Sequence, residues 1–354
     1  MAQTAQPVEE KVTSMASSDH AKHIGILMFG LVLISYILMA ADRYLFPVLA
    51  ADIRKAFGFS LQNTGLLTTV FTLGLGVSGL PTGYLLARYS RKSILLLGIV
   101  IFSGATALTT VASGFLTMLI CLAIQGAGMS MLATSLFALA ANYFAANRAA
   151  AVGSVNVCYG LGGVVGPILA GFLRTTYGTW QVPMLAFGGF GFVIAVVILM
   201  FVRPWLTETQ HAAGASAAQG GATSLRNRNT IVLTTLSIFY GLSVYGFLGL
   251  YPTFLRENQH YSPADAGTVI SFFGFGSLVS IFGGWLGDRF SPKLVMSSCM
   301  VGIAVLGYLF FMPDFSMFER EVLSFLYGVI GSSDRKSTRL NSSHTDISRM
   351  PSSA

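Results

Sequence analysis

Charge is what this chain has least of. Only 10% of its residues are Asp, Glu, Lys or Arg, against about 25% in ordinary soluble domains. A water-facing surface cannot be covered from that supply. Cysteine is almost missing too. Cys121, Cys158 and Cys299 all lie inside apolar runs without metal-ligand spacing, which excludes a disulfide framework and reads as small buried hydrophobes. No apolar run carries a His/Cys/Asp/Glu cluster, and the connecting loops are too short for a catalytic domain. An enzyme, a bound metal and a cofactor are therefore not expected.

What is abundant is apolar sequence, 53% of the chain. Runs of about twenty apolar residues recur along nearly its whole length, each enough to cross a bilayer as a helix. The first 23 residues are polar, and the first run is too long for the core of a cleaved signal. Spans are expected near 24–46, 64–86, 94–113, 116–141, 149–173 and 181–203. A polar stretch rich in Gly, Ala, Ser and Gln, "TETQHAAGASAAQGGATSLRNRN", reads as a flexible linker over 204–228. Further spans follow near 229–254, 264–287 and 294–312, and another begins at about Val322. This divides the chain into a tail (1–23), a six-helix bundle (24–203), the linker and an incomplete second bundle (229–333).

The net charge of +7 reads as a loop bias, not as a nucleic-acid surface. Arg88, Arg91, Lys92, Arg148, Arg203, Arg226, Arg228, Arg289 and Lys293 fall at one set of loops, joined by Lys11 and Lys22. The other set carries Arg54, Lys55, Arg174, Arg256 and Arg320. The bias places the N-terminus and the linker in the cytoplasm. From Asp334 the chain reads "DRKSTRLNSSHTDISRMPSSA". This stretch resembles a translated sequencing adapter, so 334–354 is expected to be an artefact that interrupts the tenth span.

The two bundles repeat one pattern. "GFSLQNTGLLTTVFTLGLGVSGLPTGYLLARYSRK" (58–92) and "HYSPADAGTVISFFGFGSLVSIFGGWLGDRFSPK" (260–293) share a Ser, a Gly five residues on, and a Gly-rich run ending in a basic loop. Such parallel repeats, and the loop signature itself, resemble the major facilitator superfamily of secondary transporters. The family's loop motif, Gly-x-x-x-Asp-Arg-x-x-Arg-[Arg/Lys], is met by Gly83, Arg88, Arg91 and Lys92, with Ala87 where the Asp belongs. Its second copy keeps Gly284, Asp288, Arg289 and Lys293. In such a motif the glycine is expected to let helices approach, while the basic residues hold the loop at the cytoplasmic interface. By the family's pseudo-symmetry Asp288 is expected to latch onto the start of the fifth helix, near Arg148. "GGVVGPILAG", with Gly162, Gly166, Pro167 and Gly171, resembles the family's fifth-helix pattern, and a packing role outweighs a signal for efflux.

The resemblance implies an all-α membrane protein, two parallel six-helix halves with the second incomplete. A twelve-helix family also implies that 1–333 alone lacks its closing helices and does not transport.

One stretch breaks the apolar pattern. In "MAADRYLFP" (39–47) Asp42 and Arg43 arrive together after about eighteen apolar residues, and apolar sequence resumes at once. Ionisable groups inside a membrane are usually functional. The alternative is a pair at the helix end, in the outer headgroup layer, with Arg43 snorkelling outward. The pair and the following "FGFSLQNTG" resemble the anion:cation symporter and spinster-like branches of the superfamily. There the Arg contacts an organic anion and the Asp couples protons. A desolvated carboxyl holds a proton more readily and a nearby cation opposes this, so anion and proton binding at such a pair would be linked. Where those branches add an Arg and a Glu on the fourth helix, this chain has Leu122 and Met129, beside Gln125. Tyr36, Tyr44, Gln125, Asn156, Tyr159, Tyr240 and Tyr245 are further candidates to line the same cavity.

These readings point to a monomeric secondary transporter of a small organic solute in a bacterial inner membrane. An organic anion carried by symport with protons is the finer expectation. Proton-driven efflux of drugs or metabolites, or a non-transporting sensor, are the alternatives. Lipid, solute and protons are the expected partners, and nucleic acid is not.

Overall fold

The computed structural model describes residues 8–143, 148–204, 228–279 and 292–331. Among these, helices account for nearly everything. They are α1 (Val8–Asp42), α2 (Leu45–Phe57), α3 (Leu61–Val77), α4 (Gly79–Arg88), α5 (Arg91–Leu108), α6 (Phe115–Tyr143), α7 (Arg148–Tyr177) and α8 (Gln181–Phe201). After the linker come α9 (Arg228–Glu257), α10 (Pro263–Val279), α11 (Pro292–Leu309) and α12 (317–331). Seven stretches among the described residues are long and apolar enough to cross a membrane.

The first span differs from the sequence expectation. It runs from Ile24 to Phe57, about ten residues past the expected end, and it is broken inside by turn residues Arg43 and Tyr44. Pro47 accounts for the break. It has no N–H for the carbonyl of Arg43 four residues back, and its ring crowds that carbonyl, so it is tolerated only in a new helix's first turn. The helix also begins at Val8 and not near 24, so much of the expected tail is helical.

Short polar signals set the other ends. Gly58, at φ 68, closes α2 in the left-handed conformation that glycine adopts without strain. Ser60 caps α3 by accepting the Asn63 N–H at 3.0 Å, and Ser262 caps α10 by accepting the Asp265 N–H at 3.1 Å. Those two serines are the matching positions of the sequence repeat, so its two copies share a helix start as well as a pattern.

Two apolar cores result. One gathers side chains of α1–α3 and α5–α8, the other those of α9–α12. Tyr44 is the exception, since from the break in the first helix it joins the second core, its hydroxyl close to Gly163 of α7. The halves meet closely along α7 and α10. A methyl group on Gly163 would stand 3.3 Å from Gly274 Cα, and Gly267 lies hard against the Pro167 carbonyl. Gly162 and Gly166 press the opposite side of α7 onto Ile37, Ala40 and Ala41 of α1. The glycines of "GGVVGPILAG" thus pack in both directions, which van der Waals packing between membrane helices requires.

Candidate functional site

The break in the first helix carries the two charges into the middle of the molecule. Asp42 is 1% exposed. Its Oδ2 accepts hydrogen bonds from the Thr106 hydroxyl of α5 and the Gln125 amide of α6, both at 2.8 Å. The Gln125 amide nitrogen also reaches Thr106 Oγ1, at 2.9 Å, which closes a three-residue cluster. Asp42 Oδ1 is buried and has no hydrogen-bond partner among the described residues.

Arg43 points elsewhere. Its guanidinium carbon lies 4.8 Å from the ring centroid of Tyr245 on α9 and 5.8 Å from that of Tyr159 on α7. One ring comes from each half. Both distances suit a cation over an aromatic face. Its Nε is enclosed and has no hydrogen-bond partner among the described residues. Asp42 and Arg43 line one cavity between the halves, with Phe46, Pro47, Thr68, Phe71, Gln125, Tyr245 and Leu248. A carboxyl group, a guanidinium and apolar side chains therefore adjoin one another.

Of the expected lining residues, Gln125 and Tyr245 reach this cavity and Tyr159 approaches the cation from the side. Tyr36 packs against Phe137 and Tyr159, Tyr44 belongs to the second core, and the Tyr240 hydroxyl donates to the Gly331 carbonyl. Asn156 is exposed and donates to the Val152 carbonyl of its own helix. Leu122 and Met129 are buried in the first core. Gln125, one turn from each on α6, supplies the polar contact to Asp42 instead. Thr106 was not foreseen, because a threonine in an apolar run carries no signal until the fold sets it opposite a carboxylate.

The basic loop motif is only partly as expected. Arg88 stacks on Tyr84 at 4.5 Å, and the Lys92 ammonium donates to the Leu199 carbonyl in the last turn of α8 at 2.9 Å. A cation is favoured there by the carbonyls a helix leaves unpaired at its C-terminus. Gly83 does not serve a close helix approach among the described residues, since a methyl group added to it would meet nothing within 4 Å. Gly284, Asp288 and Arg289 lie outside the described residues, as do the side chains of Arg148 and Lys293 and hence the expected latch.

Charges at the opposite end, which sequence reading treats only as loop residues, turn out to be organised. Asp52 of α2 receives Arg174 of α7 at 2.8 Å and Arg256 of α9 at 2.8 and 3.1 Å. Arg54 pairs with Glu257 beside it. Arg320 is fully buried, and its guanidinium donates to the carbonyls of Phe310, Met312, Pro313 and Phe315.

Comparison with known proteins agrees with this architecture. The profile of the Major Facilitator Superfamily matches residues 32–333. The hexuronate transporter of Bacillus subtilis is 27% identical over 290 residues, 75% of this chain and 67% of that protein. Protein spinster homolog 1 of Xenopus laevis is 29% identical over 258 residues, 67% of this chain but only 46% of its own length. A solved bacterial homologue of the human lysosomal transporter spinster, inward-facing and unoccupied, has a TM-score of 0.73 at 18% identity and covers 92% of this chain and 78% of that one.

Proposed function

Because this chain belongs to the Major Facilitator Superfamily, we propose that it is a secondary transporter that carries a small organic anion together with a proton by alternating access. The observation that carries the reading is the placement of Asp42 and Arg43, at a helix break, in a cavity bounded by both halves. Arg43 supplies the cationic contact, since a guanidinium offers a carboxylate two parallel N–H donors. Asp42 holds the coupling proton. Thr106 and Gln125 occupy Oδ2, which leaves Oδ1 as the oxygen that takes up the proton. Protonated there, it donates to an incoming carboxylate. Ionised, it repels that carboxylate, so loading the proton and loading the anion favour each other.

The basic-residue bias supports an N-terminus and linker in the cytoplasm. The ion pairs around Asp52 then close the outer end. Their breakage accompanies opening outward, and their reformation returns the cavity to the cytoplasmic side.

The test is uptake into proteoliposomes by the full-length, twelve-helix protein under an imposed proton gradient, with radiolabelled organic acids. Concentrative uptake that collapses with a protonophore and disappears in Arg43→Ala is the expected result. Binding without any flux would identify a sensor, and expulsion driven by proton entry would identify an exporter; either overturns the proposal.

A further inference from the structure

Thr106 is fully buried in α5, and three groups lie within hydrogen-bonding reach of its hydroxyl. Two of them are acceptors. Asp42 Oδ2 stands 2.8 Å from Oγ1, and the Phe102 carbonyl, one turn back on the same helix, stands 2.9 Å from it. The third is the Gln125 amide, which donates to Oγ1 at 2.9 Å and to Asp42 Oδ2 at 2.8 Å. A threonine hydroxyl carries one proton, so it serves Asp42 or Phe102 and not both at once.

We infer, on the reading of Asp42 as the coupling group, that Thr106 is a positioning residue with two settings. Its hydroxyl donates to Asp42 while the carboxylate is ionised, and turns to the Phe102 carbonyl once Asp42 is protonated. An ionised acceptor holds a donor about twice as strongly as a neutral one, so the carboxylate wins the hydroxyl proton. After a proton arrives at Oδ1, Oδ2 is a neutral acid carbonyl that Gln125 already holds. The backbone amide carbonyl of Phe102 is then the better acceptor. A threonine bonding to the carbonyl four residues back is an ordinary arrangement within a helix. The hydroxyl only rotates and no covalent bond breaks at Thr106; the coupled proton enters and leaves at Oδ1. Thr106 is therefore satisfied in both states of Asp42, in an interior where an unpaired polar group is costly. Gln125 has no such freedom, because both of its N–H groups are committed. The other titratable groups lining the cavity, Arg43 and Tyr245, lie against each other, and neither is a hydrogen-bond partner of Thr106.

The experiment is acid-induced infrared difference spectroscopy of the full chain in lipid nanodiscs, with protons as the only ligand. The Asp42 bands are those that vanish in Asp42→Asn. Thr106→Val keeps the shape of the side chain and removes the hydroxyl. It should shift the carboxylate stretch of ionised Asp42, which loses a donor, and leave the carbonyl stretch of the protonated acid where it is in the parent. Thr106→Ala should do the same if the valine variant folds poorly, and Thr106→Ser should restore the parent spectrum in both states. A protonated-acid band that moves in Thr106→Val would show that the hydroxyl stays on Asp42. A carboxylate band that does not move would show that the hydroxyl never served it. Either result overturns the inference and leaves the role of Asp42 standing. If Asp42→Asn removes no titrating band, Asp42 takes up no proton, and its coupling role falls together with the inference.

Discussion

Asp52 and Arg256 face each other across the two halves of the molecule, joined by two hydrogen bonds of 2.8 and 3.1 Å. The fork of the guanidinium matches both carboxylate oxygens, the geometry in which such a pair is strongest. Arg174, from the same half as Asp52, shares Oδ1 at 2.8 Å. One carboxylate therefore neutralises two arginines that approach it from opposite halves.

That arrangement makes Asp52 the weak point of the closed end. In Asp52→Asn the two guanidiniums would be left close together without their counter-ion, and like charge would push the halves apart. The side chains keep 9–22% of their exposure, so solvent screens part of the effect, and a loss of about 1–2 kcal/mol is reasonable. This corresponds to roughly a five- to thirty-fold shift toward the state open at that end. Spin labels at the exposed Lys55 and Asn258, at the ends of α2 and α9, should report longer distances in the variant. Unchanged distances would mean the cluster does not control opening.

The α7–α10 seam gives a second expectation, from glycine pairs that behave oppositely. Gly274→Ala drives a methyl into the backbone of Gly163 and Val164, and overpacking of this kind typically costs about 1–3 kcal/mol. Gly83→Ala meets nothing within 4 Å among the described residues and replaces a poor helix former with the best one, a gain of up to about 1 kcal/mol. Thermal unfolding in detergent should fall for the first and hold or rise for the second. A Gly274→Ala variant as stable as the parent would show that the seam relaxes freely.

How far the sequence reaches can be judged from these same residues. Helices, halves and the Asp42–Arg43 pair were legible because apolar length and out-of-place charge are local signals. The break at Arg43 was legible in principle from Pro47, but apolar continuity across it hid where the span ends. Thr106 and the Asp52 cluster were not legible, since partners separated by 64 to 204 positions become neighbours only through helix packing. Arg320 is legible in sequence only as a loop charge, since the carbonyls that enclose it converge only when the turn between α11 and α12 folds.

Arg320 should hold the turn between α11 and α12 together. Four carbonyls depend on its donors, and a buried acceptor that loses its partner costs about 1–3 kcal/mol. Arg320→Met should therefore destabilise the second half by at least several kcal/mol, offset in part because no cation is then buried. Arg320→Lys should recover little, because three donors on one nitrogen cannot span the positions a planar fork reaches. Melting temperature and hydrogen exchange over 310–316 would measure both. If the lysine variant matches the parent, the charge matters and the fork does not.

Asp42→Asn separates coupling from binding. The amide keeps the shape of the protonated carboxyl and can still accept from Thr106 and Gln125 through its oxygen, so the cluster should survive. Its nitrogen can donate into the cavity as a protonated Oδ1 would, yet it cannot release a proton on the other side. In the full-length, twelve-helix protein, counterflow of labelled anion between two equal pools should then persist, while accumulation driven by a proton gradient disappears. Arg43→Ala should fail differently: losing a charge-assisted contact of about 1.5–3 kcal/mol weakens binding roughly ten- to 150-fold and depresses counterflow and uptake together. Arg43→Lys should rescue only part, if both guanidinium donors meet the carboxylate. A pair serving only to anchor a helix end would instead change expression and leave the coupled kinetics intact. The first span places Asp42 well inside its Ile24–Phe57 limits, which favours the coupled outcome. If Asp42→Asn still concentrates substrate against a gradient, the coupling proton resides on another group.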